Sequence, residues 1–216
     1  MLAIIGRTGS GKSTIANLIM RMYDVSEGSV TVDDKHIETL NLNNYRSQIG
    51  FVPQEVFLFS DKISHNIAFS ADVLDMPAVE QAARDAAVYS NIMELEQGFD
   101  TLIGERGVTL SGGQKQRVSI ARAIVKQPQI LIFDDCLSAV DTRTEEEILT
   151  NLGRVMQGKT SIIISHRIST IKNADQILVL DEGRIIERGT HAELMDAKGA
   201  YFELYEKQLL EEEEKM

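Results

Sequence analysis

Apolar positions along the chain fall into two rhythms. Short, nearly unbroken apolar runs at Leu2-Ala3-Ile4-Ile5, Ile130–Asp134, Ser161–Ser165 and Ile177–Leu180 predict strands buried on both faces, the habit of a parallel sheet. Ser29–Asp33 alternates as a strand after a Glu27-Gly28 turn, and Gln48–Val52 reads as another, ended by Pro53. Between these, apolar residues recur at helical spacing. The first such segment opens at Lys12 and continues through Ile15, Leu18, Ile19 and Met22. A second runs from Ile63 to about Gln97, with Pro77 as a first-turn proline, Ala78, Ala82, Ala86 and Val88 beyond it, and Gly98 closing the block. A looser section, Phe99 to Leu110, precedes a helix that Ser111-Gly112-Gly113 opens and Pro128 stops after Lys126. Another spans about Thr142 to Gln157, where Thr142 and Glu145 are spaced as a capping box. Asp181-Glu182-Gly183-Arg184 predicts a hairpin turn into Arg184–Arg188, and a second capping-box spacing, Thr190 with Glu193, starts the C-terminal helices. Strands and helices alternate without an internal repeat. The expectation is an α/β fold, a mostly parallel sheet with helices on both faces, carrying a mostly helical insert near residues 60–128.

Composition narrows the function more than the fold. At 216 residues the chain suits one globular unit with an inserted subdomain. A formal net charge of −11 argues against a nucleic-acid partner, because phosphate backbones demand clustered Lys and Arg. Part of that excess is Glu211-Glu212-Glu213-Glu214, expected to be a solvated acidic tail. The single Cys136 excludes an intramolecular disulfide and fits a reducing compartment; its expected place is a small buried apolar site beside a strand. No apolar run approaches the roughly 18–20 residues needed to span a bilayer, and the N-terminus shows no targeting pattern. The expectation is a soluble chain whose membrane role comes through partners or further sequence.

The chemistry concentrates at Gly6-Arg7-Thr8-Gly9-Ser10-Gly11-Lys12-Ser13-Thr14. Placed between an apolar strand and a helix, G-x-x-x-x-G-K-[ST] is a phosphate-binding loop. Its glycines let successive N–H groups turn toward one anion, and the helix N-terminus adds its dipole. Lys12 is expected to reach the β- and γ-phosphates, and the Ser13 hydroxyl to take a Mg²⁺ position. Asp134 and Asp135 end an apolar strand, where open α/β sheets bind ligands; Asp134 is expected to hold Mg²⁺ through water, facing Ser13. Leu110-Ser111-Gly112-Gly113-Gln114 opens a second helix whose N-terminus is an anion site by the same logic, with Lys115, Arg117 and Arg122 adding positive potential.

These residues carry a resemblance over nearly the whole chain. It is similar to the ATP-binding domain of an ABC transporter, of the exporter type. Gly6–Thr14 matches Walker A, Leu110–Gln114 the signature LSGGQ, Ile130–Asp135 Walker B, and Ser138-Ala139-Val140-Asp141 the D-loop. Gln54 after Phe51-Val52-Pro53 matches the Q-loop, and His166 in Ser165-His166-Arg167 the switch histidine. Gly104-Glu105-Arg106-Gly107 resembles the segment that touches transmembrane coupling helices in exporters.

The resemblance implies a P-loop NTPase fold, with residues 1–60 and 129–198 as a RecA-like core. It further implies a helical signature subdomain at 61–128, and a C-terminal helix with acidic tail at 199–216. It implies head-to-tail pairing with a second such domain, ATP lying between Walker A of one and Ser111-Gly112-Gly113-Gln114 and Asp141 of the other. Gln54 becomes a Mg²⁺ contact and relay to the membrane domain, and His166 a holder of the γ-phosphate and attacking water. The expected location is the cytoplasmic face of the cell membrane, through the transmembrane domain.

Two departures qualify these expectations. Where the family places Glu after the Walker B Asp, this chain has Asp135, one methylene shorter, so its carboxylate withdraws by about 1.5 Å. A misplacement near 1 Å can slow a reaction about 10²-fold, and slow turnover is expected, as in the ATP-holding site of an asymmetric heterodimer. A homodimer that tolerates Asp is the alternative, as is a near-silent ATP clamp. Second, the family's adenine-stacking aromatic lies upstream of Walker A, where this chain has only Met1–Ile5; weak ATP affinity is expected, and the chain reads as a fragment. An ABC-type ATPase of DNA repair predicts coiled-coil insertions and basic surface, and neither is visible. An importer subunit is less well matched because of Gly104–Gly107.

Overall fold

A computed structural model describes residues 1–71, 73–104 and 108–213. In chain order its elements are β1 (Leu2–Gly6), α1 (Lys12–Ile19), β2 (Thr31–Val32), β3 (Lys35–His36), α2 (Leu42–Ser47), β4 (Ile49–Val52), α3 (Ile63–Ile67), α4 (Met76–Asp85) and α5 (Tyr89–Met93). They continue with α6 (Gly112–Ile124), β5 (Ile130–Asp134), α7 (Thr142–Val155), β6 (Thr160–Ile164), α8 (Ile168–Ile171), β7 (Gln176–Asp181), β8 (Arg184–Gly189), α9 (His191–Ala197) and α10 (Ala200–Glu213). The chain divides into two compact units, Met1–Ser47 with Thr160–Met216, and Gln48–Lys159.

In the first unit β1 lies between β6 and β7, parallel to both, with Ala3 opposite Ile163 on one side and Ile177 on the other. A strand hydrogen-bonded on both edges and covered on both faces must be apolar throughout, and Ala3, Ile4 and Ile5 are buried. The outer strand β8 is antiparallel to β7 and follows the tight turn at Glu182-Gly183, as the sequence predicts. The alternating segment after Gly28 forms only the two-residue strand β2, which turns through Asp33-Asp34 to pair with β3.

Helix α1 stops at Ile19, short of the predicted Met22, which is 56% exposed. Arg21 adopts a left-handed backbone (φ 54°), and the amides of Arg21 and Met22 return to the carbonyls of Leu18 and Asn17, a Schellman closure. The Arg46 guanidinium then donates to the Met20 and Arg21 carbonyls, meeting the negative end of the helix with positive charge.

In the second unit β4 and β5 pair in parallel, Val52 opposite Phe133. The predicted helical block from Ile63 to Gln97 is three separate helices. Asp75 caps α4 by accepting from the Ala78 amide, with Pro77 in the first turn as expected, and Ala87 breaks the chain at φ 53° before α5. Short segments can each direct an apolar face at α6, and Ile63, Ile67, Val79, Ala83, Val118 and Ile120 form that buried core. Arg122 fastens α3 to α6, donating to the carbonyls of Asn66 and Phe57 and to the Asn66 side chain. Asp141, and not Thr142, caps α7, its carboxylate accepting from the Thr144 amide; the capping box of Thr190 with Glu193 forms as predicted. Cys136 is buried, as expected, and burial pushes its thiol pKa upward. The expected acidic tail is helical backbone as far as Glu213, and Glu214 lies outside the described residues. No helix among the described residues is long and apolar enough to cross a membrane.

Candidate nucleotide-binding site

The loop from Gly6 to Lys12 joins a buried strand to a helix. A Cβ on Gly6 would lie 2.2 Å from the Leu180 carbonyl oxygen, so only glycine lets the chain leave β1 this close to β7. Gly11 caps α1 with φ 98°, a left-handed conformation that glycine adopts without strain. No side chain caps α1, whereas Asp75, Ser111, Asp141 and Thr190 cap α4, α6, α7 and α9. The helix dipole is positive at this end, which favours an anion there.

Ser10 is 3% exposed, and its hydroxyl has no hydrogen-bond partner among the described residues. Lys12 is 6% exposed, its ammonium folded back onto the carbonyls of Gly6 and Arg7 at 2.9 and 2.8 Å. Thr8, Gly9, Ser13 and Thr14 are exposed along the same loop and first turn. The hairpin turn braces the loop, the Gly183 amide donating to the Ser10 carbonyl at 3.1 Å. An orphaned hydroxyl, a buried ammonium and the positive end of a helix together fit a polyphosphate.

Because β1 and β6 are parallel neighbours, their C-terminal ends open on one edge of the sheet. The Ser165 amide donates to the Ile4 carbonyl, and half-buried His166 follows directly. The structure thus brings together the phosphate loop and His166 within the first unit.

Within the second unit the pairing of β4 with β5 does the same for Gln54, which is exposed, and the carboxylates Asp134 and Asp135. Asp134 is 5% exposed. Asp135 is half-buried and holds a left-handed backbone, φ 45°, with its carbonyl accepting from the Ser138 hydroxyl. The donor set expected for the metal, a hydroxyl at Ser13, an amide at Gln54 and a carboxylate at Asp134, is all oxygen, which suits Mg²⁺ completed by phosphate and water.

The signature segment opens α6 with a capping box. The Ser111 hydroxyl accepts from the Gln114 amide at 3.2 Å and the Gln114 side chain accepts from the Ser111 amide at 2.9 Å. One turn on, the Gln116 side chain donates to the Ser138 hydroxyl and accepts from the Ala139 amide, locking signature helix to D-loop. A Cβ on Gly113 would come within 2.9 Å of the Ala139 carbonyl. Asp141, at the far end of that loop, has its carboxyl pKa lowered chiefly by the hydrogen bond from the Thr144 amide.

Two of the basic residues behind the signature also tie the second unit together. Arg117 donates to the carbonyls of Gly113 and Ala87 and to Asn91, and Arg122 is spent on α3, so both are ties within the unit; Lys115 remains exposed. Gln116 and these arginines carry no spacing signal, since, apart from the Gly113 carbonyl one turn before Arg117, their partners lie more than a helix away in sequence. Of the predicted exporter segment, Gly104 is described; Glu105, Arg106 and Gly107 lie outside the described residues. Gly104 borders a cleft of about 320 Å³ walled by Val56, Phe57, Leu58, Ile103 and Leu110.

A parallel-strand edge that hands a glycine turn, a lysine and an uncapped helix to one anion defines a P-loop nucleotide-binding protein. Comparison with known proteins makes the kinship specific. The profile of the family described as "ABC transporter" matches residues 1–138, and the chain belongs to that family. It is 51% identical over 214 residues to an ATP-dependent lipid A-core flippase of Aromatoleum aromaticum, covering 98% of this chain and 35% of the flippase. It is 47% identical over 213 residues to an ATM1-type heavy metal exporter of Novosphingobium aromaticivorans, covering 99% of this chain and 35% of that protein. Among solved structures, a bacterial Atm1-family ABC exporter with ATP bound superposes with a TM-score of 0.92 at 47% identity, covering 96% of this chain and 36% of that one. The chain therefore spans about a third of the length of these relatives, and it matches the α/β P-loop class that its pattern predicts.

Proposed function

We propose that the chain is the ATP-binding and ATP-hydrolysing engine of an ABC exporter. In this reading it pairs head to tail with a second such domain and drives export through transmembrane segments, at the cytoplasmic face of a membrane. The observation that carries the reading is the phosphate loop, where Ser10 and Lys12 are buried toward an uncapped helix start. The exporter assignment draws on the relatives, a lipid A-core flippase and a heavy metal exporter by name, and on the cleft beside Gly104, whose apolar walls suit a coupling helix. Residues 61–128 then form the signature subdomain set between the halves of a RecA-like core.

The residues divide the work. Gly6, Thr8, Gly9, Ser10, Gly11 and Thr14 present backbone and hydroxyl donors to the phosphates, and Lys12 leaves its carbonyls to balance the β- and γ-phosphate charge. Mg²⁺, when bound, neutralises phosphate charge and orients the terminal group for attack. Ser13, Gln54 and, through a water, Asp134 would hold it; His166 would orient the attacking water and the γ-phosphate, and Asp135 would accept a hydrogen bond from that water. Ser111, Gly112, Gly113, Gln114 and Asp141 serve the nucleotide of the partner domain. Because aspartate reaches less far than glutamate, turnover at this site is slow, as in the ATP-holding site of a heterodimer; a near-silent ATP clamp is the limiting form of that reading. The test is direct. Lys12→Ala should abolish ATP retention in equilibrium dialysis while leaving the circular dichroism spectrum unchanged, and undiminished retention would remove the basis of the proposal.

A further inference from the structure

The switch-histidine segment is held from a distance. His166 follows β6, and Arg167 caps α8 without a side-chain hydrogen bond of its own to that helix. The missing capping partner comes from α10. The Gln208 side chain accepts from the Ile168 amide at 2.9 Å and donates to the His166 carbonyl at 2.6 Å, so one amide group grips the backbone on both sides of Arg167. Within the local turn the Arg167 amide donates to the Ser165 hydroxyl at 2.9 Å.

Helix α10 is a firm base for such a grip. At its start the Glu187 carboxylate accepts from the amides of Ala200 and Tyr201, and Tyr201, fully buried, meets His191 through its hydroxyl at 2.8 Å. Along its length the helix also walls a cleft of about 300 Å³ that Gly6 and Arg7 of the phosphate loop share with Glu203, Leu204 and Lys207. A half-buried glutamine that bonds two backbone groups fixes those groups in direction.

We propose that Gln208 is a positioning residue for His166. It holds the peptide on either side of Arg167 so that the imidazole is presented at the β1–β6 edge where the phosphate loop begins. The role rests on the reading of His166 as the residue that orients the γ-phosphate and water. Because that orientation matters in the reaction and little in binding, Gln208 acts on kcat and leaves nucleotide affinity alone.

The test compares wild type, Gln208→Met, His166→Ala and the double variant in the 216-residue chain. Methionine keeps the length and packing of glutamine but neither hydrogen bond. Single-turnover ATP hydrolysis should fall about tenfold in Gln208→Met, with the ATP dissociation constant within about twofold of wild type. The double variant should hydrolyse no more slowly than His166→Ala alone, since both changes act through one imidazole. Amide hydrogen exchange, read without nucleotide, should quicken at Ile168 and stay unchanged at Ile4. Wild-type turnover in Gln208→Met, additive losses in the double variant, or unaltered exchange at Ile168 would each overturn the proposal. A wild-type chain that binds ATP but never turns it over would defeat the catalytic reading and the positioning role together, while the exchange measurement still reports whether the grip exists.

Discussion

At Asp135 two physical demands meet in one side chain. Its carboxylate stands where a longer one would reach further, and its backbone is left-handed at φ 45°. Aspartate tolerates that conformation better than most residues because its short polar side chain can bond locally. The sequence displays the first demand and hides the second. Asp135→Glu should therefore raise kcat, by about 10- to 100-fold if reach alone limits the site. The same change should lower stability by less than about 1–2 kcal/mol, the upper range for an unfavourable left-handed residue. Single-turnover kinetics with denaturant titration measures both, and an unchanged rate would refute the slow-site reading. At Lys12 and Ser10 the sequence named the chemistry, but only the fold shows the ammonium turned onto two carbonyls and the hydroxyl buried without a partner among the described residues.

Elements differ in how openly they advertise themselves. The strands β1, β5, β6 and β7 were legible because burial forces nearly unbroken apolar runs, whereas the alternating segment after Gly28 kept only two residues of strand. The helical block after Ile63 was not, because alanine and valine at helical spacing fit one long helix or several short ones, and Ala87's left-handed turn leaves no mark in composition. The C-terminal pair α9 and α10 supports a prediction of its own. Burial, and secondarily the neighbouring Tyr205, pushes the Tyr201 hydroxyl up to about 12 from its ordinary 10.0. A raised pKa means the fold favours the protonated phenol, so this contribution is whole below about pH 10 and is lost as pH rises toward 12. Burial raises Tyr45 in the same direction. Tyr201→Phe should flatten the decline of the thermal midpoint across that window, although it loses the bond to His191 and starts lower. A wild-type midpoint that stays constant through the window would contradict the assignment.

For the molecule as a whole, a net charge of −11 and two compact units bearing different motifs set the terms. If ATP is held between two protomers, the signature of one must be intact for the pair and dispensable for its own phosphate loop. Gly113→Ala tests this, because the added Cβ would press within 2.9 Å of the Ala139 carbonyl and disturb signature and D-loop together. Light scattering with Mg²⁺ and ATP should show pairing in the wild type and its loss in Gly113→Ala, with ATP retention by each chain largely kept. Equal losses of retention and pairing would argue that the site is built within one protomer.

The sequence by itself determined the class of fold, the phosphate loop and the order of the motifs, because each is written in a few adjacent residues: an apolar run, a glycine turn, a lysine at the start of a helix. It also determined the start of α9, since the Thr190 cap and its amide partner at Glu193 are three residues apart. Only the tertiary structure decided what holds those motifs in place. Gln116 meets the D-loop at Ser138 and Ala139, Arg122 reaches back to Asn66, and Gln208 grips both sides of Arg167. Such partners are far apart along the chain and share no period, so no local pattern encodes them; they exist once burial has brought the backbone groups together and left them to be satisfied.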